Sequence, residues 1–387
     1  MTNAAVPDYL GTDFREASPG LRFGMYLKVW ANDFSVVKEK VEPLKKAGKL
    51  NQNDLNTMQN LLLRQQAAFS ARPAQADSLQ LDAIASAPFT TGLGNAHPLE
   101  NGFAFLNSYG LPYLPGSGVK GVLRQAAREL ASGDWGDSHG WNEAAITALF
   151  GLESQDGETE LQRGALTFWD VIPQIKGDSL KVEIMTPHQK HYYQDGKTPH
   201  DSGMPVPLGF LTVPPGSGFT FHVACDSAFL RRLAGNLAEQ DNWKTLLQAA
   251  FDHAFSWLGF GAKTAVGYGA MAEDAAKKAE RAEQLKQQQA AARRSQMTPE
   301  DAAYEDHRAV IEPFRAAFEQ ARKTKYQPGQ EFDAKRNDFI KNALSWDEPR
   351  SRHEAAELLA ETIQWGVSKK GKDRLKSVVE QLKANPE

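Results

Sequence analysis

Apolar positions along the first 270 residues recur with two different periods, and the switches between them mark out the elements. An apolar stretch from Leu21 to Trp30 reads as one strand. Val36, Val37, Val41 and Leu44 then follow a helical spacing, as do Leu55, Met58, Leu61, Leu62 and Phe69, with Asn53 placed to cap the second helix. Leu79, Leu81, Ala83 and Ala85 alternate, which predicts a half-buried strand. The Gly- and Pro-rich passage Pro88 to Gly121 predicts a long functional loop. Beyond it, Val122, Leu123, Ala126, Ala127 and Leu130 set a helix over about 119–130, and a shorter one covers 141–150.

Four further strands are predicted at 165–169, 180–184, 208–213 and 218–224, the last two joined as a hairpin through Pro214-Pro215-Gly216-Ser217. Trp243, Leu246, Leu247, Ala250, Phe251, Ala254, Phe255 and Leu258 then make the most regular helical stripe in the chain. It stops at Gly259, where a glycine-rich loop leads into a strand over 266–271. Strands interspersed with helices predict an α+β domain, and a ferredoxin-like sheet fits that order. From 272 to 297 the chain is a solvated, charged helical linker. After it Thr298 and Pro299 open an all-helical extension with three amphipathic stripes, anchored by Phe314, Phe339 and Trp346 among others. The expected domains are therefore 1–271, with a helical insertion at about 34–70, the linker 272–297 and the extension 298–387.

Charge sharpens that division. The 387 residues carry 44 Lys and Arg against 48 Asp and Glu, a net charge of −4, and 22 of the bases with 21 of the acids fall after Ala270. A near-neutral chain does not hold nucleic acid or an anionic membrane through bulk positive charge. The single cysteine, Cys225, excludes an internal disulfide and a Cys-cluster zinc site. There is no apolar run long enough to span a membrane and no secretory pattern at the start, so a soluble cytoplasmic protein is expected.

Three clusters carry candidate chemistry. In the first, Gly116, Ser117 and Gly118 run into a helix start backed by Lys120 and Arg124, where backbone amides and cations suit a phosphate. A tight turn before a well-capped helix explains the same residues. In the second, Gly259 to Gly269, the glycines Gly261 and Gly267 allow close approach of a ligand. Lys263 and Thr264 there suit a phosphate, and Tyr268 suits a base. Neither cluster has Walker spacing. The third gathers His188, Lys190, His191, Tyr192 and Tyr193. It fits stacking on single-stranded RNA, a histidine general base, or aromatic packing of a long loop, and it makes a poor metal site. Asp170, at a strand end, is read as holding a turn through backbone amides.

These motifs, in this order, resemble the RAMP superfamily of CRISPR-associated proteins, within it the family of sixth subunits of Cmr (type III-B) effector complexes. The resemblance rests on Thr91-Gly92-Leu93-Gly94, on His97 to Phe103, on Tyr109 to Arg124 and on Gly164 to Pro173. It continues through Thr186 to Tyr193, Pro205-Val206-Pro207 and the Gly259–Gly269 loop, spanning about residues 20–271. The chain departs from the family at Gly118, where a second serine is usual. The resemblance implies an RNA-recognition-like ferredoxin fold and a non-catalytic subunit at the 3′ side of a guide RNA. Its implied partners are guide and target RNA, other RAMP subunits and the small helical subunit of the complex, with no cofactor or metal. A metal-independent guide-processing endoribonuclease is the alternative. It would take His188 or His191 as base and Lys190 or Lys263 against the phosphorane. The helical extension lies outside the pattern.

Overall fold

The computed structural model describes residues 2–72, 77–152, 162–186, 192, 196, 198, 207–323, 331–365 and 369–384. The chain divides into two compact units, Met1–Ala279 and Glu280–Glu387.

In the first unit the helices are α1 (Pro19–Gly24), α2 (Val41–Ala47), α3 (Gln52–Ser70), α4 (Gly116–Ser132), α5 (Glu143–Phe150), α6 (Ser227–Leu233), α7 (Gly235–Ala238) and α8 (Asn242–His253). A π turn, Ala254–Leu258, continues α8. The strands are β1 (Ser78–Ala85), β2 (Phe105–Leu106), β3 (Leu111–Pro112), β4 (Leu166–Phe168), β5 (Lys181–Met185), β6 (Leu208–Thr212), β7 (Gly218–Cys225) and β8 (Met271–Glu273). Four of them form an antiparallel sheet in the order β4-β7-β1-β8, with Leu81 opposite Phe221 and Ala83 opposite Phe219. The alternation read from β1 is therefore that of a central strand with one apolar face.

On that face Phe219, Phe221 and Val223 are fully buried. Phe221 meets Phe251 of α8 with ring centroids 5.2 Å apart, and Leu123, Ala126 and Ala127 of α4 fill the same core. Burying each large apolar side chain contributes roughly 1.5–3 kcal/mol, so this layer dominates the unit's stability. The other face is not open. Phe69, near the end of α3, lies edge-on to His222 at 4.6 Å and to Trp169 at 5.4 Å, and Gln66 accepts a hydrogen bond from Gln80. α3, within the segment 34–70, thus packs on the second face of the sheet. Cys225 is buried within the core, and burial pushes its thiol up to about 12.

Several elements differ from expectation for physical reasons. Leu21 to Trp30 does not form a strand. Pro19 takes the first helical position and Ser18 accepts the Leu21 N–H, so the segment opens as α1. Asn53 is not the cap of α3. Asn51 is, in a reciprocal capping box with Asp54. The strand expected over 266–271 begins only at Met271, because Thr264–Val266 is a 3-10 turn. The 208–213 and 218–224 strands are not a hairpin: β6 pairs with β5 and β7 with β1 and β4. Pro214 and Pro215 supply no backbone donors, so their step carries the chain from one sheet to the other.

His97 is a fixed structural group. One ring nitrogen bonds the Phe23 carbonyl at 3.0 Å, the other accepts the Leu99 N–H, and the ring stacks on Phe23 at 3.9 Å. Burial lowers its pKa from 6.5, against a smaller raising effect of the Phe23 bond. The folded protein then binds this proton more weakly than the unfolded chain. Its stabilisation is complete above pH 6.5 and is lost as pH falls through the lowered folded value. Urea midpoints are expected to fall between pH 7 and 5, with a shallower fall in His97→Gln; an identical fall in the variant assigns the loss to other groups.

Helix α9 (Ala275–Ser295) spans the boundary between the units and buries none of its residues, as its composition predicts. The second unit contains α10 (Pro299–Lys323), α11 (Glu331–Ala343), α12 (Pro349–Thr362) and α13 (Lys369–Lys383). Thr298 accepts the Asp301 N–H at the head of α10. Phe314 stacks on Phe339 at 4.1 Å, and Trp346 meets the same ring edge-on at 5.9 Å, so the aromatic anchors share one core. The fourth helix, α13, escaped the pattern reading because Lys and Arg surround its four buried residues, Leu375, Val378, Val379 and Leu382.

Candidate functional site

The first cluster sits at the head of α4, which starts at Gly116, three residues before its sequence-based boundary. Gly116 is there for packing: an added Cβ would lie 2.3 Å from the Phe168 carbonyl oxygen at the end of β4. Its N–H donates to Asp170 Oδ1 at 2.7 Å, so this carboxylate caps the helix in place of a side chain from the preceding residue, Pro115. The Gly118 and Val119 amides donate to the Pro115 carbonyl. Ser117 and Gly118 are exposed, and the Ser117 amide and hydroxyl have no partner among the described residues.

The two cations behind this turn part company. Arg124 donates to the Phe150 carbonyl at 2.7 Å and to the Gly151 carbonyl at 3.2 Å, and its guanidinium lies over the Phe150 ring. It closes the C-terminal end of α5 through one guanidinium nitrogen, a structural role beside the phosphate contact expected of it. Lys120 is half-buried and has no carboxylate partner among the described residues. Burial lowers its ammonium pKa, and the neighbouring Arg124 lowers it further. An anion at Ser117 would relieve both effects.

The second cluster is held rigidly. Within Gly259–Gly269, Phe260 N–H donates to the Gly269 carbonyl at 2.9 Å, Gly269 N–H to Pro88 at 2.8 Å and Ala262 N–H to Thr90 at 2.8 Å. Gly269 has φ +71°, and an added Cβ would lie 1.8 Å from the Phe260 oxygen. Gly261 abuts the Thr90 carbonyl as closely as 2.3 Å from its ideal Cβ. Lys263 adopts φ 61°, a left-handed conformation that costs an L-residue about 1–2 kcal/mol. Its ammonium lies 6.0 Å from the centre of the Phe210 ring. Tyr268 packs on the same ring at 5.5 Å and bonds Glu183; burial first, and Glu183 second, raise its phenol pKa. Thr264 is half-buried, and Gly267 and Val266 face solvent.

The structure thus brings Lys263 and Tyr268 together on Phe210, a platform the sequence reading missed because its strand pattern marked Phe210 only as core. Ser117, Gly118 and Lys120 form a second group. Among the described residues no hydrogen bond or ring contact joins the two. Of the third cluster only Tyr192 lies within the described residues, and it is exposed; His188, Lys190, His191 and Tyr193 lie outside them. No group of three or more His, Cys, Asp or Glu side chains is arranged to hold a metal among the described residues. Among the described residues no helix is long and apolar enough to cross a membrane.

Comparison with known proteins places this geometry. The RAMP superfamily model matches residues 85–272, which contain both clusters. The CRISPR system Cmr subunit Cmr6 of Pyrococcus furiosus is 28% identical over 233 residues, covering 47% of this chain. The match spans 64% of that relative's length. Among solved structures, a chain of the type III-B Cmr-β complex bound to cognate target RNA is 19% identical, with a TM-score of 0.42 over 60% of this chain and 69% of that one. The crystal structure of Cmr6 from Pyrococcus furiosus is 24% identical, with a TM-score of 0.27 over 51% of this chain and 97% of that one. Residues 85–272 thus form a domain of the RAMP superfamily, in a chain homologous to Cmr6 of Pyrococcus furiosus.

Proposed function

We propose that this chain is the Cmr6-type subunit of a type III-B CRISPR complex and that it holds guide RNA without cutting it. In this reading it sits at the 3′ side of the guide, beside other RAMP subunits and the small helical subunit, with target RNA passing close by. Its body is a ferredoxin-like domain. The order β4-β7-β1-β8, with α4 between β1 and β4 and α8 between β7 and β8, supports that finer reading. Because α3 covers the second face of the sheet, RNA is held by loops and helix ends rather than across the strands.

The observation that carries the proposal is Lys120: a half-buried cation with no carboxylate partner among the described residues, beside an exposed turn that offers the Ser117 amide and hydroxyl. An ammonium held this way gains most from a phosphate. Lys263 supplies a second contact from a backbone too constrained to move away.

The test uses end-labelled, guide-length RNA and the full chain in EDTA, on native gels across a salt series. Lys120→Ala and Lys263→Ala are each expected to weaken retention. Each should flatten the log–log salt dependence by about 0.7, the slope of one single-strand phosphate contact. Asp170→Asn still accepts the Gly116 N–H but removes a negative charge beside the turn, so it is expected to tighten retention. Retention and slope unchanged in both lysine variants would overturn the assignment. RNA cut into fragments on denaturing gels would overturn the non-catalytic role.

A further inference from the structure

At the other end of α4 the first unit exposes two tryptophans side by side. Trp135 lies in the turn after α4, between Gly133 and Gly136, both at positive φ, and is 47% exposed. Trp257 lies in the π turn after α8 and is 66% exposed. In an unbroken α-helix, residue 257 falls two turns beyond Ala250 and on the same face, and Ala250 is fully buried. The π turn intervenes and Trp257 emerges into solvent, a device common at functional sites. The two indoles lie 5.1 Å apart at 56°, and Trp135 stands at right angles to His253, whose ring bonds Glu129 at 2.7 Å.

These rings wall a cavity of about 660 Å³ whose other polar lining includes Asp137, Asp252 and Lys244. Charge in the cavity is one-sided. Lys244 is neutralised by Asp241 at 3.0 Å, and His253 is matched by Glu129. Asp252 accepts the neutral Gln248 amide and feels Lys278, whose own ammonium is paired with Glu273 at 2.8 Å, and Asp137 faces His139 at 3.8 Å. Exposed indole faces beside carboxylates attract a cation that can also stack, and a guanidinium does both. The same carboxylates repel the phosphates of a nucleic acid.

We propose that this cavity is a docking site for an arginine-bearing basic segment of a neighbouring protein subunit, with Trp257 and Trp135 as the anchors and Asp137 and Asp252 as the charge partners. The inference does not depend on the RNA role of Lys120 and Lys263. It is tested on the full chain with a fluorescein-labelled, end-capped hexa-arginine peptide, read by anisotropy at low and moderate salt, beside a labelled oligouridylate. Hexa-arginine is expected to bind the parent chain. Trp257→Ala and the Asp137→Asn/Asp252→Asn pair should each weaken that binding about fivefold, as one cation–π or charge contact warrants. All three side chains are exposed, so unchanged urea midpoints check that the variants remain folded. Trp257→Ala is expected to retain guide-length RNA like the parent, which separates this inference from the RNA-binding one. Equal hexa-arginine binding by parent and variants would overturn the proposal. So would an oligouridylate signal lost in Trp257→Ala, which would make the tryptophans a base-stacking platform.

Discussion

Gly269→Ala is expected to lower the stability of the first unit by about 2–5 kcal/mol, from left-handed backbone strain and overpacking together. The residue sits at φ +71°, and a Cβ built there falls 1.8 Å from the backbone oxygen of Phe260. Phe260 cannot retreat. Its N–H is bonded to the Gly269 carbonyl, and its ring is buried against Phe221 at 5.0 Å. Gly267→Ala is the matched control. That glycine has φ +92° with nothing within 4 Å of an added Cβ, so only the conformational part applies, about 1–2 kcal/mol. Urea unfolding followed by tryptophan emission separates the two variants. Equal losses would mean that steric closure is not what holds the loop. Because Lys263 rides on the same loop, Gly269→Ala should also lose RNA retention beyond its loss of stability.

Arg22→Ala is the second large effect, expected to cost about 3–5 kcal/mol, the usual consequence of leaving one partner of a buried ion pair alone. Arg22 and Asp54 meet at 3.2 Å with side chains 10% and 8% exposed. The guanidinium also donates to the Lys46 and Lys49 carbonyls, so it ties α1 to the end of α2 and the head of α3. Burial is the largest influence on both groups, lowering the Arg22 pKa and raising that of Asp54. The pair therefore does not recover its whole desolvation cost. Its value lies in fixing where the insertion begins rather than in net stabilisation. The Arg22→Ala/Asp54→Asn double variant should accordingly lose less than the sum of the single ones. Strict additivity would show that the two side chains act independently.

The repeating patterns of the chain were its most legible part. The alternation of β1, the stripe of α4 and the stripe of α8 each survive in the structure, because a buried face imposes its period on the residues that build it. What stayed hidden depends on single contacts between distant residues. Nothing near Gly116 announces that Asp170 caps its helix 54 positions away. Nothing beside Arg124 in sequence tells that it also bonds the carbonyls at the end of α5. Phe210 has the signature of a core strand and no mark of the platform it offers Lys263. Trp257 was not among the apolar positions of the α8 stripe, and the π turn that exposes it leaves no period of its own to find.

The sheet order also bears on how the chain is made. β1 is the second strand from the β8 edge and, among the described residues, pairs only with β7 and β8, so roughly 130 residues must follow Ala85 before its first partner exists. At about 5–20 residues per second, a ribosome leaves this apolar strand without a sheet for roughly 7–25 seconds. During that interval its edge hydrogen bonds and Leu79, Leu81 and Ala83 are open to other nascent chains. Slower translation of 86–217 would lengthen that exposure, so the yield of soluble chain should be more sensitive to pauses there than to pauses after Glu273.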